Sequence, residues 1–491
     1  MQHSLGTRLI VTPSLPLLVA MAAAAAYALA GVLAHASYHS FGWDLGVFDQ
    51  VLWSIAHGDW FYYSFRPMPY LGDHFQPVLV LLAPLALLGL GAAPLLVVQG
   101  VALGAAVLPL HAAARRLAGP RAAWGLVLAY VLSLAVARAI ALDFHPECFV
   151  PLLAFTSFWA LTSGRNIVFA GAVLALLPLK EDMAFLSLAL CWLAWIGFGQ
   201  RSLPATLAVL SVAYWVAAVL YLMPHAGRGG SNPLLERYAY LGASPREITT
   251  NAILRPDLIV EHLARPEALG AVLLLLAGVG FLPLLRPRLL PPLAFLVAVP
   301  LLSVNHYQQE LKLHYGLVPY TYAAIVAAVA LQGHPFAATV GRLRRALFHT
   351  YASGAAPICL ALTSAALFVW LSPLPPSFTT VLDHFHVDRH AAIAGEVLET
   401  IPGDAAVSAQ ANFVPHLSER TNIFEFPRIE QATFVILDGN RDVPEYDVAE
   451  FQRCSDALPD LGFSLHAAED GIELWTRSPD DARRFGGLDC G

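Results

Sequence analysis

Apolar residues run unbroken over about 9–34, 76–113, 121–141, 148–164, 166–179, 183–199, 204–223, 267–285, 289–304, 316–332 and 352–372, and polar residues gather in the gaps. A hydrocarbon layer about 30 Å thick takes about 20 apolar residues per helix, so these runs predict about 11 transmembrane helices. The first run has Arg8 before it and no small-residue cleavage site immediately after, which reads as a retained signal anchor. The segment 76–113 is too long for one straight span and is broken by Pro84, Gly89, Gly91 and Pro94. Its first part, about 76–90, is expected to lie in the interface or to re-enter. The run 166–179 is short for a span. Ala is frequent in the runs and Gly recurs, as in a bundle whose helices approach closely.

From about 376 the pattern changes. Ala405–Gln410, Ile423–Phe426, Thr433–Leu437 and Ile472–Trp475 read as short strands, and Ala391–Thr400 and Val448–Leu458 as helices. Strands alternating with helices predict a small α/β domain. The expected architecture is an all-α polytopic membrane bundle over 1–375 and a soluble domain over 376–491.

Composition sharpens this division. Hydrophobic residues make up 57% of the chain and charged residues 13%, with a mean hydropathy of +0.61. A soluble protein carries about a quarter charged residues, so a single water-soluble enzyme is excluded. Residues 376–491 hold 21 Asp/Glu and 8 Lys/Arg, a net charge of −13; the remainder holds 14 and 20, a net charge of +6. The tail is therefore acidic, and nothing in the chain has the basic excess of a nucleic-acid binder. Five Cys are too few for a disulfide framework.

Basic residues also set the orientation. Arg8, the connections with Arg115, Arg116 and Arg121, then Arg165, Arg201, Arg286 and Arg288, and finally Arg342, Arg344 and Arg345 read as cytoplasmic. The loops 35–75, 142–147, 180–182, 224–266 and 305–315 then face outward, as does the tail. The expected location is the cytoplasmic membrane, with the N-terminus inside.

Four polar clusters lie in the outward loops. In Asp44-Leu45-Gly46-Val47-Phe48-Asp49-Gln50, the apolar Leu45, Phe48, Leu52 and Trp53 form a helical stripe with Asp44 and Asp49 off it. This predicts a short interfacial helix holding a carboxylate above the bilayer; the plain alternative is an N-cap and a solvated acid. In Gly72-Asp73-His74-Phe75-Gln76-Pro77, His74 can act as acid, base or phosphate partner, or simply bond a carbonyl.

In Asp143-Phe144-His145-Pro146-Glu147, Pro146 biases His145 to an extended conformation, where alternate side chains share a face. Asp143, His145 and Glu147 could then converge on one cation or phosphate; two carboxylates and an imidazole suit Mn²⁺, or Mg²⁺ where water takes the place of the imidazole. Pro followed by Glu is also an ordinary helix start. Lys180-Glu181-Asp182 interrupts an apolar stretch, and charges at membrane depth are functional candidates. Lys180 could hold a phosphate, with Glu181 and Asp182 paired to it. The loop 305–315, with His314, is a weaker concentration of the same kind. No P-loop, Gly-x-Ser-x-Gly, Cys-x-x-Cys or His-Glu-x-x-His is present.

Together these four motifs, in this order, resemble a family of uncharacterised polytopic prokaryotic membrane proteins, catalogued as a domain of unknown function. The tail, from Val407-Ser408-Ala409-Gln410 through Leu417-Ser418-Glu419-Arg420, resembles that family's outward domain. The layout is in turn similar to the glycosyltransferase C superfamily, whose members take sugars from polyprenyl-phosphate carriers. Asp44 sits where that superfamily has its first-loop acid, and Asp143 and Glu147 where it has its second acidic motif. His74 before Pro77 resembles the His-Pro entry of mannosyl-transferring members. The chain departs from the pattern in having no Asp-x-Asp there and in placing His145 mid-motif.

The resemblance implies a membrane glycosyltransferase that meets membrane lipids and a polyprenyl-phosphate-linked sugar. In that reading Asp44 is the base or acceptor-orienting carboxylate, with Asp49 in support and His74 beside it. Lys180, Glu181, Asp182 and His314 bind substrate. A transporter or flippase for a lipid-linked sugar is the alternative and would carry an inverted repeat, none of which is visible. A non-catalytic scaffold would leave the acidic clusters scattered.

The orientation is directly testable. A reporter active only in the cytoplasm, fused after Gly491, should be silent; activity would reverse the assignment.

Overall fold

The computed structural model describes residues 14–227, 233–332, 355–441 and 448–485. Arg8, Arg342, Arg344, Arg345 and Cys490 lie outside them. The membrane part is built of helices joined by loops. Among the described residues four stretches are long and apolar enough to cross a bilayer, Leu15–Ala36, Ala93–Ala141, Ser202–Ala226 and His306–Leu331, and six further apolar helices have 10–17 residues. Large apolar side chains point outward from several of them, with Leu81 78% and Ile167 90% exposed. Such a surface is unfavourable in water and expected against lipid.

Helix α1 (Leu15–Ala36) packs along α2 (Ala93–Ala105). The contact is made by small residues. A Cβ on Gly100 would lie 2.4 Å from the Ala28 nitrogen, and one on Gly104 2.5 Å from the Ala24 nitrogen. Spacing of four residues on both helices puts all four on facing stripes, the arrangement that lets membrane helices touch through their backbones. Helix α3 (Val107–Val131) continues from α2 and is divided at Gly119 (φ 86°) and Pro120, beside the Arg115, Arg116 and Arg121 cluster. It packs against α1 and against α4 (Val150–Ser163), α5 (Leu317–Leu331) and α6 (Ala356–Leu371).

The end of α3 shows how the bundle satisfies its backbone. A helix terminus leaves four carbonyls without helical partners. Those of Leu128 and Tyr130 accept from the amides of Leu132 and Ser133. Those of Ala129 and Val131 accept from the hydroxyls of Tyr320 and Tyr27, both at 2.9 Å.

The broken segment divides as the sequence predicts. Leu79–Leu88 is a short apolar helical piece, and Gly89 and Gly91 (φ 63° and 57°) turn the chain before α2 begins. At 1.5 Å per residue, ten residues reach about 15 Å, half the hydrocarbon thickness.

The tail is an α/β domain with a five-stranded sheet, ordered β2-β1-β3-β5-β4. Its strands are β1 (Val407–Ala409), β2 (Ile423–Glu425), β3 (Phe434–Asp438), β4 (Ser464–Glu469) and β5 (Ile472–Thr476). β1 pairs in parallel with β2 and β3, while β5 runs antiparallel to β3 and β4. The helices Arg389–Glu399 and Val448–Asp456 are present as expected. β4 escapes a reading based on hydrophobic pattern because it is a mostly exposed edge strand, held by pairing with β5. Cys454 is buried and free.

One expectation needs correction. The first-loop helix Val47–Ala56 is not an interfacial helix with a wet face. Val47 through Leu52 are all buried, because the helix is sandwiched between the membrane bundle and the α/β domain. Gln50 donates to the carbonyls of Arg420 and Thr421 (2.9 and 3.2 Å) and accepts from the Ser64 amide (2.9 Å). Arg428 donates to the carbonyls of Ser64 and Phe65, and Arg441 to those of Tyr38 and Ser37. Gly42 and Gly46 admit Val414 against the loop; a Cβ on Gly46 would sit 2.9 Å from its Cγ1.

The small-residue seam predicts an asymmetric result. Gly100→Val must displace backbone and should cost about 1–3 kcal/mol, as overpacking does. Gly171→Val, with nothing within 4 Å of its Cβ position, should be silent. Thermal unfolding of the two variants in detergent checks this.

Candidate functional site

The four motifs meet. The loop 35–75 follows α1, and Phe41 begins a wide helical turn over Gly42–Gly46, closed by the Gly46 amide on the Phe41 carbonyl (3.3 Å), that carries Asp44. Asp143 holds that turn in place: its Oδ2 accepts from the Phe41 amide at 2.7 Å. Burial, then Asp44, push the Asp143 carboxyl up to about 8, against the pull of the Phe41 and Leu45 amides and of His145.

His145 is extended (φ −140°, ψ 139°), as Pro146 requires. Its Nδ1 lies 3.1 Å from the Asp143 carbonyl and its Nε2 3.1 Å from Asp44 Oδ1. A carbonyl only accepts, so Nδ1 carries a proton and Nε2 is left to face the carboxylate. Burial works against a charged imidazole here, but Asp44 and Glu147 outweigh it and raise the pKa of His145. When protonated, the imidazole donates from Nε2 to Asp44. Gln99, from within α2, fixes this loop by accepting from the His145 amide (3.2 Å) and donating to the carbonyls of Ala139 and Asp143.

The second and fourth motifs are joined the same way. Glu181 accepts from His74 Nδ1 (3.2 Å) and from the Phe75 amide (3.0 Å). The Val78 amide donates to the Pro178 carbonyl (3.1 Å), tying the broken segment to the Lys180 hairpin. Lys180 Nζ donates to Glu147 Oε1 at 2.7 Å, linking the third motif to the fourth. Both groups are buried. Burial alone would raise the Glu147 pKa, yet Lys180 and His145 hold it below its ordinary value. His314 stacks on His145 with ring centroids 3.7 Å apart.

These contacts border a cavity of about 550 Å³, within the size range of small-molecule sites. Asp44, His74, His145, Lys180 and His314 all line it. Asp44 keeps 31% of its side chain exposed, so it presents an edge to the space while His145 grips the other. Asp143, Glu147, Glu181 and Asp182 do not line this cavity. Glu147 and Glu181 bond residues that do, Lys180 and His74; Asp143 meets His145 through its carbonyl while its side chain holds the Phe41 amide, and Asp182 lies beside them at the start of Met183–Phe198.

Two expectations fail on geometry. Asp49 is not at the cavity: only 2% exposed, it accepts from Ser418 Oγ at 2.7 Å and so faces the α/β domain. Burial, partly offset by that bond, pushes its carboxyl up to about 7. The trio Asp143, His145 and Glu147 does not converge on one cation. Asp143 is turned to backbone amides, and the Lys180 ammonium neutralises Glu147. Among the described residues no group of three His, Cys, Asp or Glu is placed to hold a metal ion.

The cavity also gathers residues not singled out from sequence. Asp73 accepts from Tyr63 (3.1 Å) and pairs with Arg66 (3.2 Å), which lies over the Trp43 ring. Asp73 and Gln76 were within a recognised motif; Arg66 and Arg237 carried no pattern. Arg237 lines the cavity and has no ion-pair partner among the described residues.

A protein family described as a predicted membrane protein (DUF2079) matches residues 34–474. No curated protein matches. Among solved structures, the chain is similar to ArnT from Cupriavidus metallidurans bound to undecaprenyl phosphate, at 15% identity and a TM-score of 0.51, covering 96% of this chain and 99% of that one. The apo state of the same protein gives 14% and 0.49, with 95% and 98% covered. An Archaeoglobus fulgidus oligosaccharyltransferase in the apo form gives 12% and 0.34, with 94% and 74% covered. The chain thus shares its overall fold with the first of these structures.

The buried Lys180–Glu147 pair gives a prediction with a sign. Glu147→Gln strands an ammonium and should cost about 3–5 kcal/mol, whereas Glu147→Gln with Lys180→Met should recover most of the loss. Because folding lowers the pKa of Glu147, its contribution is complete above about pH 4.3 and is lost as the pH falls through the folded-state value. Thermal unfolding against pH should show that acid limb in the parent and lack it in the double variant.

Proposed function

The chain belongs to a family of predicted membrane proteins (DUF2079), and we propose that its cavity is the active site of a glycosyltransferase using a polyprenyl-phosphate sugar. One observation carries this reading. A single space of about 550 Å³ holds an oriented, part-exposed carboxylate together with Lys180, Arg66 and Arg237, the last with no ion-pair partner among the described residues. A similar fold has been solved with undecaprenyl phosphate bound, which supports a lipid phosphate as one ligand.

Asp44 takes the proton of an acceptor hydroxyl, and that oxygen forms a bond to the anomeric carbon. The bond from that carbon to the phosphate oxygen breaks, and polyprenyl phosphate leaves with the electron pair. A general base contributes by accepting that proton in the transition state. Fixed cations stabilise the charge gathering on the leaving group. Arg237 supplies most of this, because Lys180 is already neutralised by Glu147. His145 aims Asp44, and His74 and His314 border the sugar.

The cavity is read as outward. Arg116 donates to the Thr162 carbonyl at the far end of α4 from Glu147. Arg286 donates to the Val329 carbonyl at the far end of α5 from His314. Excess Arg at the end opposite the cavity favours a cytoplasmic assignment for that end. It supports a site on the outer side of the cytoplasmic membrane.

The assay is release of polyprenyl phosphate from a labelled polyprenyl-phosphate sugar in membranes. Asp44→Asn keeps size and should lower turnover 10²–10⁴-fold, as loss of a general base does. Arg237→Ala should chiefly raise KM for the carrier. Near-parental turnover in Asp44→Asn at equal expression refutes the assignment of the base. Movement of intact carrier across the bilayer without release would favour a flippase.

A further inference from the structure

A side chamber of about 80 Å³ adjoins the main cavity, sharing Lys180, Arg237, His314 and Tyr315 with it. Its polar wall also includes Glu147, Asp182 and Gln308. Its other wall is apolar, with Met183, Phe185, Leu296, Val299 and Val318. Three buried polar atoms on residues of this chamber have no hydrogen-bond partner among the described residues: Glu147 Oε2, Asp182 Oδ1 and His314 Nδ1. Glu147 and His314 are both more than nine-tenths buried. Such atoms destabilise the fold when left unpaired. Two are carboxylate oxygens, so a ligand there must donate hydrogen bonds.

Size and charge narrow the ligand. The volume is about half of the roughly 150 Å³ that admits a six-membered ring such as benzene. A pendant group therefore fits and a pyranose ring does not. The wall carries two carboxyl groups, Glu147 and Asp182, against two cations, Lys180 and Arg237. That balance suits a neutral donor better than an ammonium group. The opposite apolar face suits a methylene.

Resting on the glycosyltransferase reading above, we infer that this chamber is a specificity pocket for the exocyclic hydroxymethyl arm of a transferred hexose, its hydroxyl donating to one of the two carboxyl groups, Glu147 or Asp182. The ring then lies in the main cavity beside Asp44, and the chamber discriminates hexoses from their 6-deoxy counterparts. Sites that bond a substrate hydroxyl reject the analogue lacking it because their own polar groups are left unpaired.

Binding to the full-length protein in nanodiscs tests this with defined probes: decaprenyl phosphate, its glucosyl, mannosyl and galactosyl derivatives, and the three 6-deoxy derivatives. At least one hexosyl carrier should bind about tenfold or more tighter than its 6-deoxy partner. Val318→Phe, which fills the chamber, should abolish that difference while decaprenyl phosphate still binds. Binding of decaprenyl phosphate with no difference between any hexose and its 6-deoxy partner overturns the chamber assignment and leaves the glycosyltransferase reading standing. A difference that survives in well-folded Val318→Phe also overturns it. No binding of decaprenyl phosphate or any derivative overturns the glycosyltransferase reading, and this inference with it. The comparison on the parent protein needs no variant, so misfolding of Val318→Phe does not remove the test.

Discussion

Charge buried at a membrane boundary has to be paired, and that constraint organises this protein. Lys180 and Glu147 sit together at 2.7 Å, both nearly inaccessible. Neither could stay ionised there alone, since the solvation lost on burial amounts to several kcal/mol per ion. Asp44 with His145 and Glu181 with His74 repeat the arrangement with imidazoles. Each pair joins two loops that emerge from different helices. The first loop is tied to the third motif, the third to the fourth, and the fourth to the second. Four short loops, each weak alone, close into one frame around the cavity.

That frame has a second support outside the bundle. The α/β domain holds the first loop from behind through Gln50, Ser418 and Arg428, while Val414 fills the space left by Gly42 and Gly46. Asp44 lies in the turn between those two glycines. The domain therefore sets the position of the carboxylate without lining the cavity itself. This gives Asp49 its role: a buried acid holding the Ser418 hydroxyl at the junction.

Lipid imposes the complementary rule on the spans. Where α3 ends, two carbonyls are met by amides of the next residues and two by tyrosine hydroxyls from neighbouring helices. Lipid tails offer no hydrogen bonds, so a helix within them can stop only where other protein groups replace its own. Gln99 does comparable work for the His145 loop. It is the only strongly polar side chain in α2, which is a sequence-level sign of function.

Much was legible from the sequence alone. The apolar runs mark out the membrane part, and the break at Gly89–Gly91 and the extended His145 follow from local backbone preferences. Most strands and both longer helices of the tail follow from hydrophobic period. All four polar clusters could be named because charge next to long apolar runs is rare. What the tertiary structure decided is which of those groups face the cavity. Asp44 and Asp49 are five residues apart on one short segment, yet one faces the space and the other the α/β domain. Asp143, His145 and Glu147 alternate along one stretch but turn to backbone amides, Asp44 and Lys180 respectively, so no cation site forms. Arg66 and Arg237 enter the site from loops with no recognisable pattern. Sequence spacing reports the periodicity of a single segment; partners come from other segments, and in a low-dielectric interior the partner determines whether a charge is bound, neutralised or free to act.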